Sequence, residues 1–298
     1  MANPMNIPDF YQAEYGKSWE ATIQQKQSVI IPTIAQRPFK GKSKEFKTPL
    51  PLSTEAKSGR FRDVVLAEFK AKNRWIVNSI RGPQEYPAFD YWDEELLKDI
   101  VLPKSETLQQ YNYAMARDND RYIIEQMEGT AYTGADAPTE GIPLPDTQKI
   151  AHGDTGLTFS KVSTVIRMLT PYQWAGDGIH ALISEYDQQY LIDNVNELRS
   201  KDFSNASPID GGTLFGKTWM GITWHFCNEL TKDEDNGIIN CLFYKPEAVY
   251  FNPGKSDARI DVRPDKGYAL QTWAEWMNGA VRSLDEGVIQ VKTKYASI

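Results

Sequence analysis

Nothing in the first 62 residues can close a core on itself. Prolines interrupt the chain at Pro32, Pro38, Pro49 and Pro51. The spacing of Tyr11, Tyr15, Trp19 and Ile23 predicts one short amphipathic helix ahead of them. From Arg37 to Arg62 there are eight basic residues against Glu45 and Glu55, so the stretch reads as an extended basic arm. A strand pattern follows over Asp63–Ile80, where Val65, Ala67, Phe69 and Ala71 alternate with Leu66, Glu68, Lys70 and Lys72. Gly82-Pro83 signals a turn, and Tyr86–Trp92 is a second extended run. Together they predict a long two-stranded excursion. A lone hairpin is marginal in water and needs a surface to lie on. The aromatic residues of this polar region, Tyr86, Phe89, Tyr91 and Trp92, belong either to a local core or against another subunit, where Trp and Tyr are favoured.

The remainder mixes helices and strands. The clearest helix runs from about Thr107 to Glu128. Pro103 precedes it, Thr107 and Gln110 fit a capping box, and Gly129 offers a stop. Leu108, Tyr111, Met115 and Tyr122 share one face of it. Residues 130–156 read as loop, and Thr158–Leu169 as a second helix ended by Pro171. Ile179–Ile183 is a short apolar run, after which Ser184 can cap a helix carrying Leu191, Val195 and Leu198. Met220, Ile222, Trp224 and Phe226 alternate as a strand, Ile238–Tyr244 is another, and Lys245–Phe251 suggests a short helix. Ala258, Ile260 and Val262 alternate again, ahead of two closing strands over Gly267–Ser283 and Gly287–Lys294. The class is α+β.

With 298 residues and 41% hydrophobic content, the chain can bury a sizeable core in one large domain or two modest ones. A net charge of -7 argues against a dedicated nucleic-acid-binding protein. Two cysteines cannot make a disulfide framework. No apolar stretch approaches the roughly 20 residues that span a bilayer, and Met1–Phe10 lacks the apolar core of a signal peptide. His225, Cys227 and Cys241 suggest zinc, but neither a Cys-x-x-Cys nor a His-x-x-x-His pair supports them. Gly211 to Thr218 matches the spacing of a phosphate-binding loop. That motif needs a helix after it, and Trp219–Phe226 reads as a strand. The carboxylates Asp93-Glu94-Glu95 and Asp233-Glu234-Asp235 lie in polar runs and read as solvated surface.

The order of elements resembles the Hong Kong 97-type fold of tailed-phage major capsid proteins. Ala116-Arg117-Asp118-Asn119-Asp120, leading into Met127–Gly134, is similar to the end of that family's spine helix. Gly156-Leu157-Thr158 resembles the start of the next peripheral element. Tyr268–Ser283 and Gly287-Val288-Ile289 resemble its closing strands, including the Asn-Gly-Ala-x-Arg run at Asn278–Arg282. The resemblance implies an N-terminal arm over 1–62, an extended loop over 63–103 and a peripheral domain with the spine helix over 104–174. An axial domain over 175–264 and peripheral return strands over 265–298 complete it.

It further implies self-assembly, through hexamers and pentamers, into an icosahedral shell of a virion built in the host cytoplasm. Portal and scaffolding proteins, a possible decoration protein and double-stranded DNA on the inner face would be partners. No cofactor, metal, membrane or catalysis is implied. An encapsulin-like compartment shares the fold. A reading from another class is a nucleotide-binding enzyme built on Gly211 to Thr218. The arm window sums to +6 and the rest of the chain to -13, since the whole is -7. Arg37, Lys40, Lys42, Lys44, Lys47, Arg60 and Arg62 are therefore expected against acidic surface of neighbouring copies, with packaged DNA as the rival partner. Phe69, Trp75, Phe89 and Trp92 are the aromatic contact candidates. Some family members join a loop lysine to an asparagine. Lys70, Lys72 and Asn278 are available, but no covalent link is expected here.

Overall fold

The structure, a computed structural model, describes residues 25–49, 71–84, 86, 88–89, 104–175, 178–195 and 213–295. In chain order the strands begin with β1 (Ala35–Gln36), β2 (Ser43–Pro49), β3 (Ala71–Val77), β4 (Ser79–Arg81) and β5 (Ala88–Phe89). Helix α1 (Lys104–Glu128) leads to β6 (Ala131–Thr133), β7 (Glu140–Ile142) and β8 (Lys149–Ile150). Then come α2 (Phe159–Leu169), β9 (Ile179–Ile183) and α3 (Glu185–Asn194). The last strands are β10 (Thr218–Trp219), β11 (Ile222–Phe226), β12 (Lys232–Asp233), β13 (Ile238–Tyr244), β14 (Val249–Arg263), β15 (Ala269–Arg282) and β16 (Val288–Lys294).

The chain divides into two compact units. The larger is built on a seven-stranded sheet in the order β10-β11-β9-β13-β16-β8, with β12 on β13. Strand alternation gives it two buried faces. Cys241, Phe243, Ile289 and Val291 point to one, where Val162, Val165 and Leu169 of α2 and Leu191 of α3 pack with Trp224. Leu242, Tyr244 and Val288 point to the other, against Ile123, Ile124 and Met127 of α1 and Ile30 and Ile34 of the arm. Two side chains start the covering helices. Thr158 accepts a hydrogen bond from the Lys161 amide, and Ser184 with Asp187 forms a capping box on α3.

The strand expected over Asp63–Ile80 is present from Ala71, but its partner is not Tyr86–Trp92. β3 pairs antiparallel with β2, from Ser43 opposite Val77 to Pro49 opposite Ala71. β4 and β5 each join β15 instead. The two-stranded ribbon is thus made with the basic arm, and the arm is not a separate tail there. Its root has a local core of Ile76, Ala131, Tyr250 and Val281, with Phe39 and Phe46 against it. Residues 63–70 and 90–103 lie outside the described residues.

Two further expectations are corrected. Lys245–Phe251 is not a helix: only Pro246–Ala248 make a 3-10 turn, and the β-prone run Val249-Tyr250-Phe251 opens β14. β16 pairs with β13 over its whole length, and α2 packs on the same sheet. Helix α1 begins at Lys104, ahead of the capping box proposed at Thr107.

The smaller unit draws its described residues from 25–27, Ile80–Ala116 and Ser256–Trp276. Here the first turns of α1 lie on the far part of β15, burying Tyr111, Ala274 and Trp276 with Leu108 and Met115 beside them. The Tyr111 hydroxyl and Thr272 Oγ1 are 2.8 Å apart, which gives both buried hydroxyls a partner.

Candidate assembly surfaces

The basic arm presents charge rather than a pocket. Lys40, Lys42, Lys44 and Lys47 are all exposed along β2 and the segment before it. Lys44 Nζ stands 5.2 Å above the Phe46 ring, and Lys47 is 3.4 Å from Glu45 in its own strand. Arg37 finds an acidic partner within its own chain: it donates to Glu247 at 3.0 Å, and its guanidinium lies 5.1 Å over Tyr250. Trp75 is likewise engaged at home, donating from Nε1 to the Gly134 carbonyl at 2.9 Å. Arg60, Arg62, Phe69 and Trp92 lie outside the described residues. Phe89 sits on β5 opposite Leu270. Among the described residues, Lys40, Lys42, Lys44 and Lys47 follow one another along the arm, while Arg37 and Trp75 are engaged within their own chain.

Below the ribbon is a buried charge web that sequence reasoning missed. Arg282, fully buried, donates from Nε to Asp285 at 2.7 Å and from its terminal nitrogens to the carbonyls of Met127, Gly129 and Ile142 at 2.8, 2.8 and 3.0 Å. The other oxygen of Asp285 accepts from Arg74 of β3 at 2.7 Å. Lys72, also on β3, pairs with Glu286. Two guanidinium groups share one carboxylate, and burial lowers the Arg282 pKa while Asp285 opposes the shift. The ribbon root, the end of α1 and β15 are thereby fastened at one point.

The other residues of the quoted motifs have equally local work. Asp120 is fully buried and accepts from Ser28 Oγ and from the Val29 amide at 2.9 Å, which clamps the arm to α1. Asn119 accepts from Asn278 at 2.6 Å. Asn278 is therefore a buried strut, and Lys72 is occupied by Glu286. Gly279 lies so close to β3 that a Cβ there would stand 2.6 Å from Ile76 Cγ2.

The chemical motifs resolve differently. Lys217 leads into β10, which turns back through Met220 and Gly221 into β11, so the helix a phosphate loop requires is replaced by a hairpin. Gly211 and Gly212 lie outside the described residues. His225 does not join the cysteines. It pairs with His180, the ring nitrogens 3.0 Å apart, and His180 stacks on Tyr244 with centroids 5.8 Å apart. Burial first, and then the His180 ring, pushes the His225 imidazole down to about 4. The Cys241 thiol donates to Asp187 at 3.0 Å, and burial pushes the Cys227 thiol up to about 12. Among the described residues, no three His, Cys, Asp or Glu side chains converge as metal ligands would.

Solved phage structures agree in fold. The structure is similar to "Mycobacterium phage Che8" at 15% identity and TM-score 0.66, over 97% of this chain and 98% of that one. It is similar to the Cyanophage Pam1 capsid at 10% identity and TM-score 0.68, with both chains fully covered. To the acid-stable capsid of Helicobacter pylori bacteriophage KHP30 the figures are 12% and 0.69, over 99% of each. No curated protein sequence matches. The chain belongs to the phage capsid protein family, whose model matches residues 7–294. Its fold is of the Hong Kong 97 type, and its role is that of a major capsid protein in the virion shell.

Proposed function

We propose that copies of this chain assemble through hexamers and pentamers into a closed icosahedral shell around double-stranded DNA, in the host cytoplasm, without catalysing a reaction. End-to-end agreement of fold with capsid subunits carries this reading. Portal and scaffolding proteins are the partners such a shell requires. In this reading the β2–β3 ribbon is the extended loop, α1 is the spine, the smaller unit is peripheral and the seven-stranded sheet is axial. Electron microscopy of the purified protein tests it. Shells or hexameric capsomers are expected, and a chain that stays monomeric at high concentration overturns it.

Lys40, Lys42, Lys44 and Lys47, with Arg60 and Arg62, contact acidic surface of neighbouring copies in this reading. Exposed ion pairs contribute only ~0.2–1 kcal/mol each, so they act by number and by repetition around the shell. Replacing the four described lysines by Gln together is expected to abolish empty-shell assembly. Normal shells that package DNA poorly would move the contact to the genome instead.

A further inference from the structure

Among the described residues, the outer edge of β14 is unpaired over 256–263. β1 covers only Tyr250 and Phe251. The edge carries two distinct rows. Asp257, Arg259, Asp261 and Arg263 alternate in sign along one face. Ala258, Ile260 and Val262 make the other.

Neighbours on β15 fix which face is which. The Arg259 guanidinium lies 4.8 Å over Trp273, and Arg263 donates to Gln271 at 2.6 Å, so the charged row stands beside Gln271 and Trp273. The apolar row lies on the face where Thr272, Ala274 and Trp276 are buried. That row outruns its cover, since Val262 is 52% exposed. Within the charged row Arg259 has only Asp261, at 3.2 Å, as its ion-pair partner among the described residues.

We propose that this edge binds the same edge of a second copy, as a two-fold antiparallel strand pair centred on Ile260. The inference rests on the shell reading above, because it assigns one of the contacts between copies. A two-fold contact uses one patch twice, so the patch must complement itself. Centred on Ile260, Asp257 faces Arg263 and Arg259 faces Asp261, each twice, giving four opposite-charge pairs. On the other face Ile260 meets Ile260, and Ala258 meets Val262. Moving the centre by one residue, to Arg259 or Asp261, sets like charges opposite throughout, which is destabilising. Centring on Ala258 keeps opposite charges facing but places Ser256 against Ile260. Pairing at the edge also occupies its backbone groups, which otherwise invite unspecific association.

The test uses cross-linking and charge exchange in the whole chain. Opposed residues of an antiparallel pair have Cβ atoms ~4.5–5.5 Å apart, within reach of a disulfide. Ile260→Cys shells, oxidised, are expected to run as covalent dimers on a denaturing gel, whereas Ala258→Cys shells stay monomeric. Asp257→Arg alone and Arg263→Asp alone are each expected to lower shell yield at least ~10-fold, and the two variants mixed restore it. Six residues separate the two positions, roughly 20 Å of strand, so one chain cannot supply the rescue to itself. Circular dichroism checks that each variant is folded.

Shells that form while Ile260→Cys stays monomeric overturn the proposal and leave the shell reading standing. Equal cross-linking of Ala258→Cys, or no rescue between two folded variants, overturns it as well. A wild-type chain that forms neither shells nor dimers sinks both.

Discussion

At the scale of single residues, Asp285 is the group on which most depends. It compensates Arg282 and Arg74, both buried, and its removal leaves two positive charges without their carboxylate. Breaking a buried ion pair from one side costs about 3–5 kcal/mol. Asp285→Ala is therefore expected to cost at least that much in a denaturant melt, whereas exposed Asp235→Ala stays within about 0.5 kcal/mol. The histidine pair makes a pH prediction. Its folded-state pKa values are depressed, so below the ordinary value near 6.5 the unfolded chain binds protons that the folded one refuses. Stability is fully present at neutral pH and falls as pH drops from about 6.5 towards 4. The loss should be on the order of 1–2 kcal/mol after discounting for the partly exposed rings. His225→Gln should flatten that slope in thermal melts at stepped pH. Neither site was legible in advance. Arg74 and Asp285 are far apart in sequence, as are His180 and His225, and a single sequence shows no contact at such distance.

At the scale of elements, legibility followed periodicity. The bounds of β13 were read correctly, as were the existence of α1, α2, β15 and β16, because each carries a long, one-sided or doubly buried pattern. The partner of β3 was misread because a period of two identifies a strand and says nothing about what it pairs with. Turn signals favour the next segment, and here the earlier one won: β2 and β3 meet over the core of Ile76, Tyr250 and Val281. Gly279 shows how tightly β15 lies on that root. A Cβ there would stand 2.5 Å from Asn78 Oδ1 as well as against Ile76. Gly279→Ala is expected to cost about 1–3 kcal/mol by overpacking, read as a lowered melting temperature, and Gly279→Val more. Unchanged stability in both would mean that the strand has room to shift.

At the scale of the whole molecule, the seven-stranded sheet sets the order of events. β16 lies between β13 and β8, with Ile150 paired to Val291, so residues 288–294 supply an interior strand of the sheet. Contacts this distant in sequence form slowly and reward the chain late. A variant ending at Gly287 leaves Phe243 and Cys241 without the strand they pair with, and it is expected to be insoluble. A soluble truncated chain with a cooperative melt would contradict this. A ribosome has to deliver residue 294 before the sheet can close, so an unfinished chain has no completed surface to offer its neighbours. Copies growing on one messenger are thereby kept out of a shell until each is made.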